Sequence, residues 1–324
     1  MATGTVLYLS RNDVESIAFS MSEIILLLEE MFLEKGEGRV EMPPKPGIHT
    51  RQDAFIHAMP AYIPAMEVAG MKWVSGYPDN PQKKLPYITG LIILNDPETG
   101  IPKAVMDCTW ITAMRTGAAT AVAAKYLAQK DSSTTGIIGC GVQGRSNLEA
   151  LTCLFDIQYV KAFDIDPSIA QTYVAEMTAK YGVEIAVVKT AEDAVKEMDI
   201  VITSGPILRD PCPTIEAGWL SPGAFACPLD FDSYWTGDAF NAADKIITDD
   251  HSQLEYYRKE GYFQSTPLPH ADLGEIVAGK KPGREKPNER IISLNLGLAL
   301  EDMVVASRIY QLALERNLGI ELPL

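Results

Sequence analysis

The sequence predicts an α/β protein: a Rossmann-type doubly wound parallel sheet, joined to an α+β domain formed by the N-terminal part and the last helix. Three observations predict it. A short apolar strand breaks into a glycine-rich turn at residues 135–144 and then into a helix. Strand-like and helix-like segments alternate beyond that turn as far as residue 249. Ahead of it, residues 40–94 are strand-like pieces punctuated by prolines, a pattern of sheets rather than helical bundles.

Residues 1–10 read as an edge strand, and Ser10 as the start of a helix beginning at Arg11. Ser22 is the expected cap of a helix over 23–35, whose Ile24, Ile25, Leu28 and Met31 repeat at helical spacing and form a core face. Prolines at 43, 44, 46, 60, 64, 78, 81 and 86 separate strands near 54–59, 68–74 and 88–94, which suggests a small sheet or an open half-barrel. A turn at 95–100 and a strand at 101–107 follow. The long helix expected over 109–128 is rich in alanine, packs closely on its neighbours, and forms the hinge between domains.

The glycine turn is the organising feature of the second half. Gly139, Gly141 and Gly144 have the spacing G-x-G-x-x-G. The first permits a tight turn, the second lets backbone N–H groups approach a pyrophosphate, and the third lets the helix starting near Gln143 pack on its strand. That spacing alone is a weak signal, but its context strengthens it. A strand precedes it, an amphipathic helix over 146–155 follows, and a second strand at 159–163 ends in Asp164. An acid roughly 20 residues past the glycines is placed to accept hydrogen bonds from ribose hydroxyls, and it repels a 2′-phosphate. NAD is therefore expected over NADP, with Asp166 able to share or take that role. Further strands are expected at 184–188, 200–203, 223–227 and 245–249, with helices at 191–197 and 273–278 and a basic loop at 279–284. The last helix, 299–316, presents Met303, Val304, Ile309, Leu312 and Ala313 to a core and is expected to return to the N-terminal domain.

The chain's 43 acidic against 28 basic residues give a net charge of −15, which argues against nucleic acid or an anionic membrane as partner. The N-terminus has neither a basic region nor a long apolar core, so no signal peptide is expected, and no apolar run reaches membrane-spanning length. The five cysteines are odd in number and scattered, which suits the reducing cytoplasm. The four histidines have no ligand spacing, so no metal site is expected.

A nicotinamide site needs a group to hold an acidic substrate and a group to move a proton. Lys72 lies in an apolar strand, where a lysine needs a partner or a cleft; Arg115 lies in the alanine-rich helix and has the geometry to clamp a carboxylate. A snorkelling lysine and an interdomain salt bridge account equally well for the same pattern. Asp230 or Asp232 follows a sheet strand directly, where open α/β sheets bind ligands, and either is a candidate general base or iminium stabiliser; either also suits a helix cap before Ser233.

At these residues the chain resembles the ornithine cyclodeaminase/mu-crystallin family, which includes archaeal-type alanine dehydrogenases and cyclic ketimine reductases. The matching blocks are MPPK at 42–45, AMP at 58–60, GMKWV at 70–74 with PDNP at 78–81, and LNDPETG at 94–100. They continue with TAMRTGA at 112–118, AKYL at 124–127, GCGVQ at 139–143, DIDP at 164–167, GEIVAG at 274–279 and GLALED at 297–302. The resemblance implies a homodimer in which residues 1–115 and 298–324 form a substrate-binding and dimerisation domain and 116–297 an NAD-binding domain. It implies hydride transfer at the α-carbon of an amino acid through an imine, in an amino acid dehydrogenase, an imine reductase or a cyclodeaminase that converts ornithine to proline and ammonia.

By the same resemblance Lys72 is the active-site lysine, Arg115 the carboxylate-binding arginine, and Asp230 the catalytic aspartate, with Asp232 as the alternative two residues on. Lys45, His57 and Tyr87 join Lys72 and Arg115 around the substrate. Thr116, Gly139, Gly141, Val142, Gln143, Asp164, Thr203, Ser204, Leu229, Asn295 and Gly297 are the implied cofactor residues. The departures fall where substrate choice is made. His57 stands where the cyclodeaminase has a glutamate and the alanine dehydrogenase an arginine, Tyr87 replaces a threonine, and Phe231 to Trp235 replace a Pro-Gly-Lys stretch. The rival from another class is a crystallin-like binding protein that keeps NAD(P) without turnover; an aspartate, Lys72 and Arg115 together speak against it.

Overall fold

The structure, a computed structural model, describes residues 4–17 and 19–324. Two compact units make up the chain: Met1–Arg115 with Gly297–Leu324, and Thr116–Leu296.

The first unit opens with β1 (Thr5–Leu9), α1 (Arg11–Ser16) and α2 (Met21–Gly36). Ser20, not Ser22, caps α2: its Oγ accepts the Glu23 N–H at 3.3 Å and the Glu23 carboxylate accepts the Ser20 N–H at 3.2 Å. This reciprocal box satisfies two otherwise unpaired donors; three residues after Ser22 stands Ile25, which has no carboxylate to complete such a box. Then come β2 (Gly47–Ile48), β3 (Phe55–Ile63), β4 (Val68–Gly76), β5 (Ile88–Asn95) and β6 (Pro102–Asp107). The helix α3 (Thr109–Leu127) starts in this unit and ends in the next.

The second unit begins with β7 (Thr134–Ile138), α4 (Val142–Thr152), β8 (Tyr159–Phe163), α5 (Pro167–Tyr181) and β9 (Glu184–Val187). It continues through α6 (Ala191–Val195), β10 (Ile200–Thr203), β11 (Phe225–Pro228), α7 (Gly237–Asn241), β12 (Lys245–Thr248) and α8 (His251–Lys259). It ends with β13 (Ala271–Asp272), α9 (Leu273–Val277) and β14 (Ile291–Leu294). The eight strands lie in the order β13-β12-β14-β11-β10-β7-β8-β9, and every pairing is parallel. Strands β10, β11, β12 and β14 are buried throughout, as expected of strands covered on both faces, and this is the Rossmann-type sheet that the sequence predicts. Chain order reverses between β7 and β10, and such a switch point opens a crevice at the carboxyl ends of the strands.

The chain then returns to the first unit as α10 (Ala299–Arg316) and β15 (Ile320–Pro323). The seven-stranded sheet there runs β15-β1-β6-β5-β4-β3-β2, so β1 is not an edge strand. The C-terminal β15 pairs antiparallel with it and takes the edge; residues 1–3 of the expected strand lie outside the described residues. One face of the sheet packs on α10, and α10 also packs on α2. Met59, Lys72, Ile92 and Met106 are partners in one row across β3, β4, β5 and β6 on that covered face, so Lys72 is the single charge in an apolar row. The opposite face leaves the partners Trp73 and Leu91 exposed. No described helix is long and apolar enough to cross a membrane.

Candidate active site

In the first unit the covered face of the sheet and the first turn of α10 place charges together. Lys72 is 1% exposed and its Nζ lies 2.6 Å from Asp302 Oδ2, with Thr112 Oγ1 of α3 accepting from it at 3.4 Å. One turn along α3, Arg115 donates through Nη1 to Glu301 Oε2 at 2.6 Å, and its Nε lies 3.3 Å from Asp302 Oδ1. Lys45 donates from Nζ to the Gly297 carbonyl at 3.1 Å. Gly297 adopts φ +81°, and a Cβ there would stand 2.5 Å from Arg115 Nη1, so the lysine and the guanidinium share this one glycine. It belongs to the first unit, one residue before the expected boundary at 298, and beside Arg115.

Two fully buried carboxylates thus face two cations, Lys72 with Asp302 and Arg115 with Glu301 and Asp302, while Lys45 is held at the neighbouring Gly297 carbonyl. Burial lowers the Lys72 pKa despite the opposing pull of Asp302, and burial raises Glu301 despite Arg115. The helix dipole supports both acids, which lie in the first turn of α10.

His57 points to the same covered face, because its β4 partner Val74 follows Lys72 by two residues. Its ring stacks on Phe55 with centroids 4.3 Å apart. Burial, and the nearby charges of Lys45, His49 and Lys72, push its pKa down to about 3, so it is neutral at physiological pH. Tyr87 is not brought to this cluster: Lys72 pairs with Ile92, whereas Tyr87 lies beyond the Gly76–Ile88 pair, its carbonyl accepting from Tyr77 N–H at 2.9 Å.

The second unit holds the other predicted residues at the carboxyl ends of its strands. Gly139 turns the chain after β7 with φ +91°, and a Cβ on Gly144 would stand 2.4 Å from the Gly139 carbonyl. Gly141, by contrast, faces open space: no atom lies within 4 Å of where its Cβ would be. It is the N-cap of α4 without any side-chain cap, so the first N–H groups of the helix, from Val142 and Gln143, are available to an anion. Gln143 is itself tied to the helix, its Oε1 accepting from Ser146 Oγ at 3.2 Å. Asp164 accepts the Cys140 N–H at 2.9 Å and the Asp166 N–H at 2.9 Å, one on each oxygen, which leaves further lone pairs for ribose hydroxyls. Ile165 beside it is 92% exposed and offers an apolar wall for a flat base. Asp166 caps α5 by accepting the Ser168 N–H at 2.9 Å.

Across the switch point, Ser204 donates to the Gly139 carbonyl at 2.9 Å and joins the end of β10 to the glycine loop. Leu229 N–H donates to the Thr203 carbonyl at 2.8 Å and fixes the end of β11. Asn295, past β14, is buried, and its Nδ2 has no hydrogen-bond partner among the described residues, although its Oδ1 accepts from Ser293. An orphaned amide donor at this crevice fits a carboxamide oxygen. Thr116 is the first residue of this unit, half-buried on α3. These residues fit a dinucleotide: an open glycine cradle, a ribose acceptor and an unpaired amide.

Asp230 follows β11 and is fully buried. Its Oδ1 accepts from Thr203 Oγ1 at 2.7 Å and its Oδ2 from Gly205 N–H at 2.9 Å. Burial raises its pKa to about 7, with Asp232 adding a smaller push in the same direction. Asp232 points elsewhere, accepting the Phe263 N–H at 2.7 Å. Neither acid is a helix cap; Thr236 caps α7. The turn between them puts Phe231 at φ +59°, a costly conformation for an aromatic residue, and its ring is gripped by Tyr257, Tyr262 and Phe263 at 4.9–5.5 Å.

Three residues escaped the sequence reading. Glu301 and Asp302 look like ordinary first-turn acids, and only the fold shows that α10 buries them against Lys72 and Arg115. Arg145 on α4 donates to the Cys140 carbonyl and, at 3.1 Å, to that of Gly141, bracing the glycine loop. Its place one residue after the last glycine of the motif was the available signal.

The second unit thus has the fold and cradle of a Rossmann dinucleotide-binding unit. The whole chain belongs to the ornithine cyclodeaminase/mu-crystallin family, whose sequence model matches residues 5–317. It is 38% identical over 325 residues to the alanine dehydrogenase of Archaeoglobus fulgidus, with 97% of each chain covered. The Δ1-pyrroline-2-carboxylate reductase of Thermococcus litoralis, solved with NADH and L-proline, is similar at 38% identity and a TM-score of 0.88, over 97% of this chain and 99% of that one. An archaeal alanine dehydrogenase dimer with bound NAD is similar at 36% identity and a TM-score of 0.87, over 98% of this chain and 99% of that one.

Proposed function

We propose that this protein is an NAD(H)-dependent oxidoreductase acting at the α-carbon of an amino acid through its imine, as an amino acid dehydrogenase or an imine reductase. The observation that carries the proposal is Asp230: a fully buried carboxylate, raised to about 7, at the carboxyl edge of a parallel sheet whose glycine loop fits a dinucleotide. A group poised near neutrality gives and takes protons at the operating pH. Kinship at 38% identity with an alanine dehydrogenase and with a reductase solved with NADH and L-proline supports the same reading.

In this account Gly139, Gly141, Val142 and Gln143 hold the pyrophosphate, Asp164 the ribose, and Asn295 the carboxamide, with Thr116, Thr203, Ser204 and Leu229 shaping the rest of the cofactor site. NAD bound there supplies or takes up a hydride at its nicotinamide ring. Lys45, Lys72 and Arg115 bind the α-carboxylate through charge-assisted hydrogen bonds. The Lys72 ammonium polarises the imine or carbonyl, and Asp230 moves the proton at the substrate nitrogen or stabilises the iminium. Both acids of the cluster are already paired and His57 is neutral, so the cluster offers a second ammonium no counterion. That favours a neutral side chain over ornithine, and dehydrogenase or reductase over cyclodeaminase.

The protein is further proposed to act in the cytoplasm, in keeping with its five free cysteines, and as a homodimer. The exposed cross-strand pair Trp73 and Leu91 on the outer face of the seven-stranded sheet suits an interface, and the archaeal alanine dehydrogenase relative is a dimer.

The test is absorbance at 340 nm with purified protein. Alanine, ornithine, lysine and arginine are offered with NAD; pyruvate with ammonia, and Δ1-pyrroline-2-carboxylate, are offered with NADH; free ammonia is assayed in parallel. A stoichiometric change in NADH with one substrate is expected. Ammonia released from ornithine with no net NADH would replace the proposal with a cyclodeaminase.

A further inference from the structure

Asp230 does not meet its threonine partner alone. Trp235 Nε1 donates to Thr203 Oγ1 at 3.2 Å, and the same Oγ1 donates to Asp230 Oδ1 at 2.7 Å. All three side chains are buried: Trp235 is 3% exposed, Thr203 and Asp230 0%. Direction in this chain is fixed by chemistry. An indole N–H can only donate, so the threonine oxygen accepts from it, and the single hydroxyl proton is left to point at the carboxylate. Were the hydroxyl to turn and accept from a protonated Asp230 instead, its own proton would have to find another acceptor in the interior.

We propose that Trp235 is a positioning residue for Asp230: acting through Thr203, it locks the threonine hydroxyl as a donor and thereby sets the pH at which Asp230 exchanges its proton. The proposal rests on the acid–base role given to Asp230 above. The ionisable groups near this carboxylate in its own unit are Asp232, two residues on, and the Cys227 thiol at the end of β11, which burial pushes up to about 12. Asp249, just past β12, acts on that same thiol. None of these is a cation. Donated hydrogen bonds, from Thr203, Gly205 N–H and the backbone of Asp230, are therefore what favour the ionised form against burial. A bond polarised by a second donor behind it is stronger than an isolated one, and Trp235 is that second donor.

The indole is well held for this work. Its ring stacks on Phe240 with centroids 5.8 Å apart, and its backbone forms an isolated parallel bridge with Ile215. The turn that carries Asp230 is anchored separately by the Phe231 ring among Tyr257, Tyr262 and Phe263. Removing the indole N–H should thus weaken the relay without releasing the turn.

The experiment compares pH profiles of kcat/KM for the wild type, Trp235→Phe, Thr203→Ser, Thr203→Val and Asp230→Asn. Trp235→Phe should move the Asp230 limb upward by about 0.5 pH unit, since it favours the neutral acid. Thr203→Val, which deletes the donated bond, should move it further, by roughly 1 unit. Thr203→Ser keeps the hydroxyl and should hold the wild-type position. A Trp235→Phe limb at the wild-type position, with Thr203→Val displaced, would overturn the proposal. If Asp230→Asn keeps the wild-type limb, the acid–base reading of Asp230 has failed, and that is a separate outcome, visible whatever Trp235→Phe does. Should Trp235→Phe fold poorly, replacing Trp235 by 3-benzothienylalanine substitutes sulfur for the N–H at nearly constant shape, and the same upward shift is required of it.

Discussion

Lys72→Met should destabilise the protein and silence it, and a second substitution should repair only the first defect. The Lys72 ammonium and the Asp302 carboxylate lie 2.6 Å apart with 1% and 0% side-chain exposure, so deleting the ammonium strands a buried charge. Such a loss costs about 3–5 kcal/mol, a large part of the ~5–15 kcal/mol by which folded proteins are stable. Arg115 Nε, 3.3 Å from Asp302 Oδ1, still faces the carboxylate, which places the cost at the low end of that range. About 3 kcal/mol corresponds to a fall in Tm of roughly 4–5 °C for a chain of 324 residues, at ~2.1 cal/mol/K of unfolding entropy per residue. In Lys72→Met/Asp302→Asn both charges are gone, the net charge of the cluster is unchanged, and stability should return to within about 1 kcal/mol of wild type. The double-mutant cycle should give a coupling of about 2 kcal/mol. Turnover should not return: single and double variants should both lose at least ~100-fold in kcat/KM, because the substrate has lost its lysine. Thermal melts and the 340 nm assay on the four proteins measure all of this. A single variant as stable as wild type would refute the buried pair, and a double variant with restored turnover would refute the catalytic role of Lys72.

Gly297→Ala forces a side chain into φ +81° with its Cβ 2.5 Å from Arg115 Nη1; we expect about 1–2 kcal/mol of strain and a rise in substrate KM larger than the fall in kcat, read by steady-state kinetics. The pH profile should carry a limb near 7 from Asp230. Reduction, which uses the protonated acid, should fall as pH rises through it, and oxidation should rise; a limb near 7 that persists in Asp230→Asn would assign it elsewhere. Because this folded value lies above the ordinary 3.8, the stability that Asp230 contributes is fully present below 3.8 and is lost as pH rises through about 7, which melts across that window will show. Asp164→Ser should raise the ratio of NADP to NAD efficiency, since it removes the carboxylate that repels a 2′-phosphate; an unchanged ratio would move that role away from Asp164. Trp73→Asp, which places a charge on the exposed outer face of the sheet, should split the proposed homodimer into monomers in sedimentation, and a dimer that survives it would remove that face from the proposed interface.

The parallel sheet was legible because its strands are short apolar-rich runs, two of them ending at Gly139 and Asp164, and because central strands such as β10 and β11 are buried throughout. The site on its edge was legible for the same reason: a strand end announces where a side chain such as Asp230 will stand. Other elements left weaker marks. The helix α5 was missed although Asp166 caps it, Pro167 opens it and Gly182 closes it, because its buried residues are only Ala170, Tyr173 and Met177. The strand β14 and the helix α8 went unread between loops, the helix because its polar residues outnumber its core-facing Leu254 and Tyr257. The edge strand β15 is exposed at every residue, so no alternation marks it, and without it β1 looks like an edge. Glu301 and Asp302 were illegible in a deeper sense. Acids in a first helical turn are ordinary, and their partners lie far away in sequence, on β4 and α3. Tyr87 shows the converse: a residue named by resemblance that the hairpin register sets well away from Lys72.

In the proposed reaction, hydride passes between a nicotinamide and the α-carbon of an amino acid. This transfer is tested most directly by turning over the imine substrate found in the 340 nm survey with NADH deuterated at C4 of the nicotinamide, and examining the product by mass spectrometry and NMR. A single deuterium, on the α-carbon, is expected. Product that forms without label, or with label at any other carbon, would contradict it.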